Sequence, residues 1–170
     1  MTECQKWSVP SPSWMKLNWD ASTEKEVGRV GYGALIRDKR GPVVAAQCKS
    51  FLGSLNPTLA EAGAALMAVQ LCKSLGFQRV HFEGEPKIVI DDVNSPENDW
   101  SSKGMLVEDL RKELQAIPQW QMTFTRREGN KAAHALAKWA SRNNVTLQWL
   151  YTTPECTQDI VRMELPAPFL

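Results

Sequence analysis

The sequence has 170 residues, of which 43% are hydrophobic and 23% are charged, and its formal net charge is +1. This composition can form a globular core and excludes wholesale disorder, and the scattered 10 glycines and 10 prolines exclude a collagen-like repeat. The longest unbroken apolar stretch, residues 64–69, is far shorter than the ~20 residues that a membrane helix needs. The first residues lack the pattern of a secretory signal. We therefore expect one domain with tails and no membrane association.

The charge is unevenly distributed along the chain. Residues 59–100 hold three basic and seven acidic side chains, whereas residues 126–142 hold five basic side chains and one acidic one. An acidic centre beside a basic flank suits a metal site next to a phosphate-binding surface, although ordinary solvated helix faces give the same pattern. The five basic residues that we predict to bind nucleic acid are Arg126, Arg127, Lys131, Lys138 and Arg142.

The four cysteines and two histidines indicate neither a disulfide framework nor a zinc site. No CxxC pair occurs, and the histidines have no zinc-ligand spacing. Cys48 and Cys72 lie in the apolar sequence surroundings that are typical of buried thiols. We therefore expect a reducing intracellular compartment, the nucleus or the cytoplasm.

The first half of the sequence predicts a leader followed by an antiparallel meander. Residues 1–13 contain serines and prolines and are predicted to form a loose, flexible leader. Apolar and polar residues then alternate over 15–20, which predicts a strand that ends at Asp20. Further strands are predicted over 30–37 and 43–49, with a Gly-Pro turn between them.

Helices separate the later predicted strands. The first helix is predicted to be capped by Thr58 and to stop at Gly76. The elements that follow are a strand over 80–83, helices over 87–93 and 104–116, a fifth strand over 121–126, and a helix over 131–142 that Asn130 can cap. Strands that helices separate favour parallel pairing, so the sequence predicts an α/β fold. Residues 14–145 form the predicted domain, and residues 146–170 form an extension that docks on it.

Four candidate site residues, Asp20, Glu61, Glu85 and His134, fall near strand ends or helix starts. Such positions meet at one edge of an α/β sheet, where ligands usually bind. Two cations held there by carboxylates, about 3.5–4 Å apart, can activate water in phosphodiester hydrolysis. Each residue also has an ordinary structural interpretation. Glu61 would complete a capping box that Thr58 begins, Asp20 and Glu85 would start a turn and a helix, and His134 would be a solvated side chain.

Five segments together resemble the plant ribonuclease H-like domain, the form related to retroelement reverse transcriptases. Each segment is weak evidence alone, but all five occur in order at the expected distances, from Trp14 to about Leu150. The segments are KLNWDAS from Lys16, GYGALIRD from Gly31 followed by GPVVAA from Gly41, AEA from Ala60, VHFEGE from Val80, and REGNKAAHALA from Arg127.

The resemblance implies a five-stranded mixed sheet, three antiparallel strands and then two parallel ones, with helices on both faces. It also implies Mg²⁺-dependent hydrolysis of the RNA strand in RNA·DNA hybrids. Asp20 and Glu61 match the family's first and second metal ligands. Glu85 and His134 stand where the family usually has aspartates. Phe124 stands where the family often has a histidine that helps to move protons and product.

These departures predict a weakened catalytic site made of Asp20, Glu61, Glu85 and His134. Four carboxylates would balance two Mg²⁺ ions, whereas this set has three carboxylates and an imidazole, which suits Mn²⁺ better. Phe124 cannot transfer a proton. We predict that Asp20, Glu61 and Glu85 bind one divalent ion, Mg²⁺ or Mn²⁺, with Mn²⁺ preferred.

Three functions remain open at this point. The chain is a weakened or metal-altered endonuclease for RNA·DNA hybrids, a degenerate ribonuclease H-like module that binds nucleic acid without cutting it, or a module that acts through a protein partner. A monomer is expected. Trp19 and Trp139 are predicted to lie in the core, and Trp100 is the tryptophan most expected to be exposed for base stacking.

Overall fold

The computed structural model describes residues 6–95 and 101–166. The strands are β1 (Met15–Glu24), β2 (Arg29–Arg37), β3 (Val43–Leu52), β4 (Arg79–Gly84), β5 (Gln119–Phe124) and β6 (Leu147–Leu150). The helices are α1 (Pro57–Leu75), α2 (Lys87–Asn94), α3 (Ser102–Leu114), α4 (Lys131–Asn143) and α5 (Gln158–Met163). Short 3-10 turns span Arg127–Gly129 and Glu155–Thr157.

The strands form one mixed sheet in the order β5-β4-β1-β2-β3-β6. β1, β2 and β3 are antiparallel neighbours, whereas β4 is parallel to β1 and β5 is parallel to β4. The predicted α/β fold is therefore confirmed. The sheet has six strands instead of the expected five, because β6 pairs antiparallel with β3. A strand of four residues is too short to show the alternation by which strands are recognised in a sequence.

Two buried clusters cover opposite faces of the sheet. Ala34 and Ile36 belong to the cluster that α1, α2 and α3 complete, whereas Leu35 belongs to the cluster that α4 and α5 complete. Successive residues of a strand point to opposite faces, so β2 alone contributes to both clusters. This alternation places helices on both faces, as expected.

The contact between α4 and the sheet is unusually close at β2. A Cβ atom added at Gly33 would lie 2.6 Å from the backbone nitrogen of Ala137, and one added at Gly31 would lie 2.3 Å from the oxygen of the same residue. Gly33 is the partner of Asp20 in the β1–β2 ladder. The two glycines therefore allow α4 to pack directly beside Asp20.

Two predicted helix caps differ from the observed ones. α1 begins earlier than expected, with Asn56 as its N-cap, and the Oδ1 atom of Asn56 accepts a hydrogen bond from the Leu59 backbone nitrogen at 3.1 Å. Thr58 is therefore not the cap, and Glu61 lies too far into the helix to complete a capping box. Asn130 does stand at the N-cap position of α4, but its side chain forms no capping hydrogen bond.

The described segments nearest the two ends of the chain, which include Trp7 and Val161, pack onto the sheet domain. Residues 6–13 form no helix or strand, and Trp7 in this segment is only 5% exposed. The flexible leader over residues 1–13 stays a prediction. The Arg37 guanidinium lies 3.8 Å from the centre of the Trp7 ring and forms an ion pair with Glu164 at 2.8 Å. Val161 of α5 is buried against the α4 side of the sheet. The domain boundaries themselves stay predictions.

The predicted positions of the tryptophans are only partly correct. Trp19 is fully buried, whereas Trp139 is only partly buried and packs against Trp149. Trp100 lies outside the described residues. Among the described helices, none is long and apolar enough to cross a membrane.

Candidate active site

Asp20 and Glu61 form one half of the candidate site. Asp20 lies in the middle of β1 and is buried, and Glu61 lies in the second turn of α1. Burial and the negative charge of Asp20 raise the pKa of the Glu61 carboxyl far above its usual range, and a hydrogen bond from the Ala21 backbone only partly offsets this increase. In the part of the chain that the structure describes, the buried Oε2 atom of Glu61 has no hydrogen-bond partner. It is therefore costly to ionise both carboxyls of this pair, and one buried oxygen has no partner among the described residues.

His134 connects α4 to the same aspartate. Its Nδ1 atom lies 2.8 Å from Oδ2 of Asp20, and its Nε2 atom lies 3.2 Å from Nη1 of Arg127. An arginine nitrogen can only donate, so the tautomer that uses both contacts has Nε2 of His134 as the acceptor. The proton is then on Nδ1, which donates to the Asp20 carboxylate. Both ring nitrogens of His134 therefore have partners within the site.

Glu85 and Arg127 form the other half of the site. Glu85 follows β4, and Arg127 opens the 3-10 turn before α4. The Nε atom of Arg127 donates to Oε1 of Glu85 at 2.8 Å. This hydrogen bond and the nearby negative charges raise the pKa of Arg127, despite the opposing effect of burial. Arg127 therefore links Glu85 to His134, and through His134 to Asp20.

A buried amide network holds these two halves together. Asn130 donates to the Trp19 carbonyl at 3.0 Å, and Asn18 donates to Oδ1 of Asn130 at 3.1 Å and to the Gly129 carbonyl at 3.2 Å. These hydrogen bonds fix the start of α4 on β1. This role of Asn18 has one signal in the sequence, its place between Leu17 and Trp19, which marks it as facing away from the α1 side of the sheet.

The site fits one cation better than two. Among the described residues, no group of three or more histidine, cysteine or acidic side chains is close enough to hold a metal ion. Asp20 and Glu61 fit a single cation, because it would satisfy the unpartnered Glu61 oxygen and offset the charge that raises the Glu61 pKa. Glu85 and His134 do not fit a second cation, because Arg127 already contacts both. The joint metal role of Asp20, Glu61 and Glu85 stays a prediction.

The five predicted nucleic-acid contacts differ in how freely they face solvent. Arg126 and Lys131 are exposed and Lys138 is half-buried, and no carboxylate within the described ranges pairs with any of them. Arg127 is paired with Glu85, and Arg142 lies 3.3 Å from a carboxylate oxygen of Glu24. Arg126, Lys131 and Lys138 are therefore the better candidates for phosphate contacts.

Phe124 lies at the rim of the site. It ends β5 opposite Gly84, one residue before Glu85, and 47% of it is exposed. An exposed aromatic ring at this place has no proton to exchange, but it offers a face for stacking.

Comparisons with known proteins agree with this architecture. The profile of a family described as reverse transcriptase-like matches residues 18–140. The solved structure of RNase H1 from the halophilic archaeon Halobacterium salinarum NRC-1 has a TM-score of 0.69 and 19% identity, and the match covers 78% of this chain and 99% of that one. No curated protein matches the sequence.

Two further solved structures share the fold. The N-terminal RNase H domain of a Mycobacterium tuberculosis protein, solved as a fusion with maltose-binding protein, has a TM-score of 0.67 and 15% identity over 78% of this chain and 99% of that one. An RNase H1 named LC11, isolated from compost and solved in complex with an RNA/DNA hybrid, has a TM-score of 0.64 and 17% identity over 76% of this chain and 98% of that one.

Proposed function

This chain belongs to the reverse transcriptase-like family and has a ribonuclease H-like fold, and from that premise we propose that it binds RNA·DNA hybrids and cleaves them weakly or not at all. The observation that carries the proposal is the buried Asp20–Glu61 pair, in which the Oε2 atom of Glu61 has no hydrogen-bond partner among the described residues. The complex of a structural neighbour with an RNA/DNA hybrid supports the choice of ligand.

We propose that Asp20 and Glu61 hold one divalent ion, Mg²⁺ or Mn²⁺. Magnesium is usually bound through one or two carboxylates together with substrate phosphates, so two carboxylates are enough when a hybrid is present. When bound, such an ion polarises a phosphodiester oxygen. Without it, burial and the neighbouring Asp20 raise the pKa of Glu61 to about 10, so Glu61 keeps a proton at neutral pH. Arg126 and Lys131, near the start of α4, would contact the phosphates that approach this pair.

The other half of the site supports weak cleavage. Both ring nitrogens of His134 already have partners, Arg127 and Asp20, which leaves no nitrogen free to accept a proton from water. Phe124, at the family's histidine position, cannot transfer a proton. We therefore expect the protein to bind a hybrid but to cleave it weakly or not at all.

The proposal can be tested by fluorescence anisotropy with a labelled RNA·DNA hybrid at about 50 mM salt, followed by salt titration. We expect the wild type to bind the hybrid in a salt-dependent way. In Arg126→Glu/Lys131→Glu, the slope of log affinity against log salt concentration should be smaller by about 1 for each phosphate contact removed. Lys39→Glu/Lys112→Glu makes the same charge change elsewhere on the exposed surface and is the control.

A cleavage assay on the same hybrid, in Mg²⁺ and in Mn²⁺, completes the test. Weak or absent cleavage is expected, and any activity should disappear in Asp20→Asn. Efficient cleavage in Mg²⁺ would contradict the weakened site. If the wild-type protein binds no hybrid even at low salt, the nucleic-acid proposal fails, and a module that acts through a protein partner becomes the better hypothesis.

A further inference from the structure

Arg127 contacts the two side chains that stand where the resemblance places the third and fourth metal ligands. Its Nε atom donates to Glu85 at 2.8 Å, and its Nη1 atom donates to His134 at 3.2 Å. Both contacts come from one planar guanidinium, which presents five N–H donors in a fixed arrangement and does not lose its proton in proteins. One permanently charged guanidinium therefore donates hydrogen bonds to both Glu85 and His134.

The hydrogen bonds leave neither residue ready for a metal. A metal ligand needs a free lone pair, and both ring nitrogens of His134 already lie against other groups, Nε2 against Arg127 and Nδ1 against Asp20. Oε1 of Glu85 accepts from the same arginine. A divalent ion at this position would lie beside a positive guanidinium, which repels it.

The backbone at the start of α4 holds Arg127 in this position. Arg127 opens the 3-10 turn, the Asn130 nitrogen donates to the Arg127 carbonyl at 3.0 Å, and the Asn130 side chain is anchored on Trp19. The side chain of Arg127 is still 52% exposed. The turn is therefore fixed while the guanidinium can be removed by mutation without opening the core.

We propose that Arg127 is a built-in cation that takes the place of a second divalent ion at Glu85 and His134. It neutralises Glu85 and orients the imidazole of His134 toward Asp20, so the chain has room for one ion at most. Arg127 is thus a positioning residue, and its removal exposes a latent second metal site. This inference deepens the proposed function and rests on it only for the first ion, at Asp20 and Glu61.

The first test reads the arginine contact without any metal. Long-range ¹H–¹⁵N NMR spectra distinguish the protonated from the unprotonated nitrogen of each histidine, and the chain has two histidines. In the wild type we expect His134 to be protonated on Nδ1 alone. Arg127→Gln, which cannot maintain both contacts with a positive charge, should change this pattern, whereas Arg126→Gln should not. His81, which lies against Thr123 at 2.6 Å, is an internal reference that neither variant should change.

The second test counts metal ions by Mn²⁺ titration, using electron paramagnetic resonance to measure free Mn²⁺. The wild type and Arg126→Ala should bind one ion at most. Arg127→Ala should bind a further ion, with a gain in affinity at that site of about 10–100-fold, the range that changes around a ligand typically produce. Adding Glu85→Gln to Arg127→Ala should remove the further ion and leave the first. Arg127→Lys keeps the positive charge but not the planar arrangement of N–H donors. It provides a second variant if Arg127→Ala does not fold.

The outcomes separate this inference from the proposed function. The inference about Arg127 would be overturned if the wild type bound two ions. It would also be overturned if folded Arg127 variants showed both the wild-type ion count and the wild-type His134 pattern. If the wild type binds neither an ion nor a hybrid, the proposed function fails. The changed His134 pattern and a Glu85-dependent ion in Arg127→Ala would still support the role of Arg127.

Discussion

The two halves of the candidate site lie at one edge of one sheet, yet they meet opposite electrostatic conditions. At Asp20 and Glu61, two carboxylates share a buried space, and the cost is visible in the raised pKa and the unpartnered oxygen of Glu61. At Glu85 and His134, an arginine supplies the missing positive charge and both side chains are satisfied. Acidic residues alone therefore do not define a metal site. The position of the nearest cation decides which carboxylates remain available.

The largest expected effect comes from Trp19, which supports both halves. It is fully buried, its carbonyl accepts the hydrogen bond from Asn130, and its ring lies against Gly84, just before Glu85. Trp19→Ala should lower the free energy of unfolding by ~3–5 kcal/mol, because it leaves a large cavity. Urea denaturation measures this change.

The matched comparison is Trp139→Ala, which removes the same side chain from a partly buried position on α4. Its cost should be clearly smaller. Equal losses in the two variants would mean that the α4 face supports the fold as strongly as the face beneath the site.

The next largest effect is expected from a substitution at Gly33, which should move α4 away from β1 without changing any residue of the candidate site. Gly33→Ala places a methyl carbon only 2.6 Å from the Ala137 backbone nitrogen, and a backbone atom cannot move aside as a flexible side chain does. We expect a loss of ~1–3 kcal/mol from overpacking. Displacement of α4 should also weaken the His134–Asp20 contact, and the NMR signals of His134 would report this change. A stable variant with an unchanged His134 signal would show that α4 does not depend on this close approach.

An effect that is smaller per pH unit, and that depends on pH, is expected at Glu61. Its raised pKa means that the folded protein binds this proton more tightly than the unfolded chain does. Stability is therefore greatest below the ordinary carboxyl range and falls as pH rises toward the folded-state pKa, by at most about 1.4 kcal/mol per pH unit for one proton. Glu61→Gln should remove this slope and be more stable than the wild type at alkaline pH.

Urea denaturation at several pH values, without divalent ions, measures this prediction. Glu26→Gln changes an exposed carboxyl and is the control. Addition of Mn²⁺ should flatten the slope of the wild type, because an ion replaces the proton. Identical pH profiles for the wild type and Glu61→Gln would mean that the Asp20–Glu61 half carries no excess charge.

Local sequence patterns were sufficient to predict the main elements. Alternation over residues 15–20 and helical spacing after residue 58 reflect how strands and helices bury one face, so they survive in the fold. β6 was missed because four residues contain too little pattern. The true cap of α1, Asn56, was also missed, since Thr58 offers the same kind of side-chain oxygen two residues later.

The site was only partly predictable for a different reason. Asp20 and Glu61 could be placed together because topology fixes which strand ends and helices meet. The contact of Arg127 with Glu85 joins residues 42 positions apart, and no local spacing indicates it. In the sequence, Arg127 is one member of a basic run, and such a run is equally consistent with phosphate binding and with an internal ion pair.

The smallest effect is expected at Phe124, and it separates the two explanations of weak catalysis. Phe124→His restores the residue type that the resemblance places at this position, beside the Arg127 half of the site. Because Phe124 is 47% exposed and ends β5, the free energy of unfolding should change by less than ~0.5 kcal/mol. Hybrid cleavage should stay weak, since Arg127 still contacts Glu85 and His134 and a proton-transfer group cannot supply a second cation. A large gain in cleavage from Phe124→His alone would mean that proton transfer, and not the occupied cation position, limits the reaction.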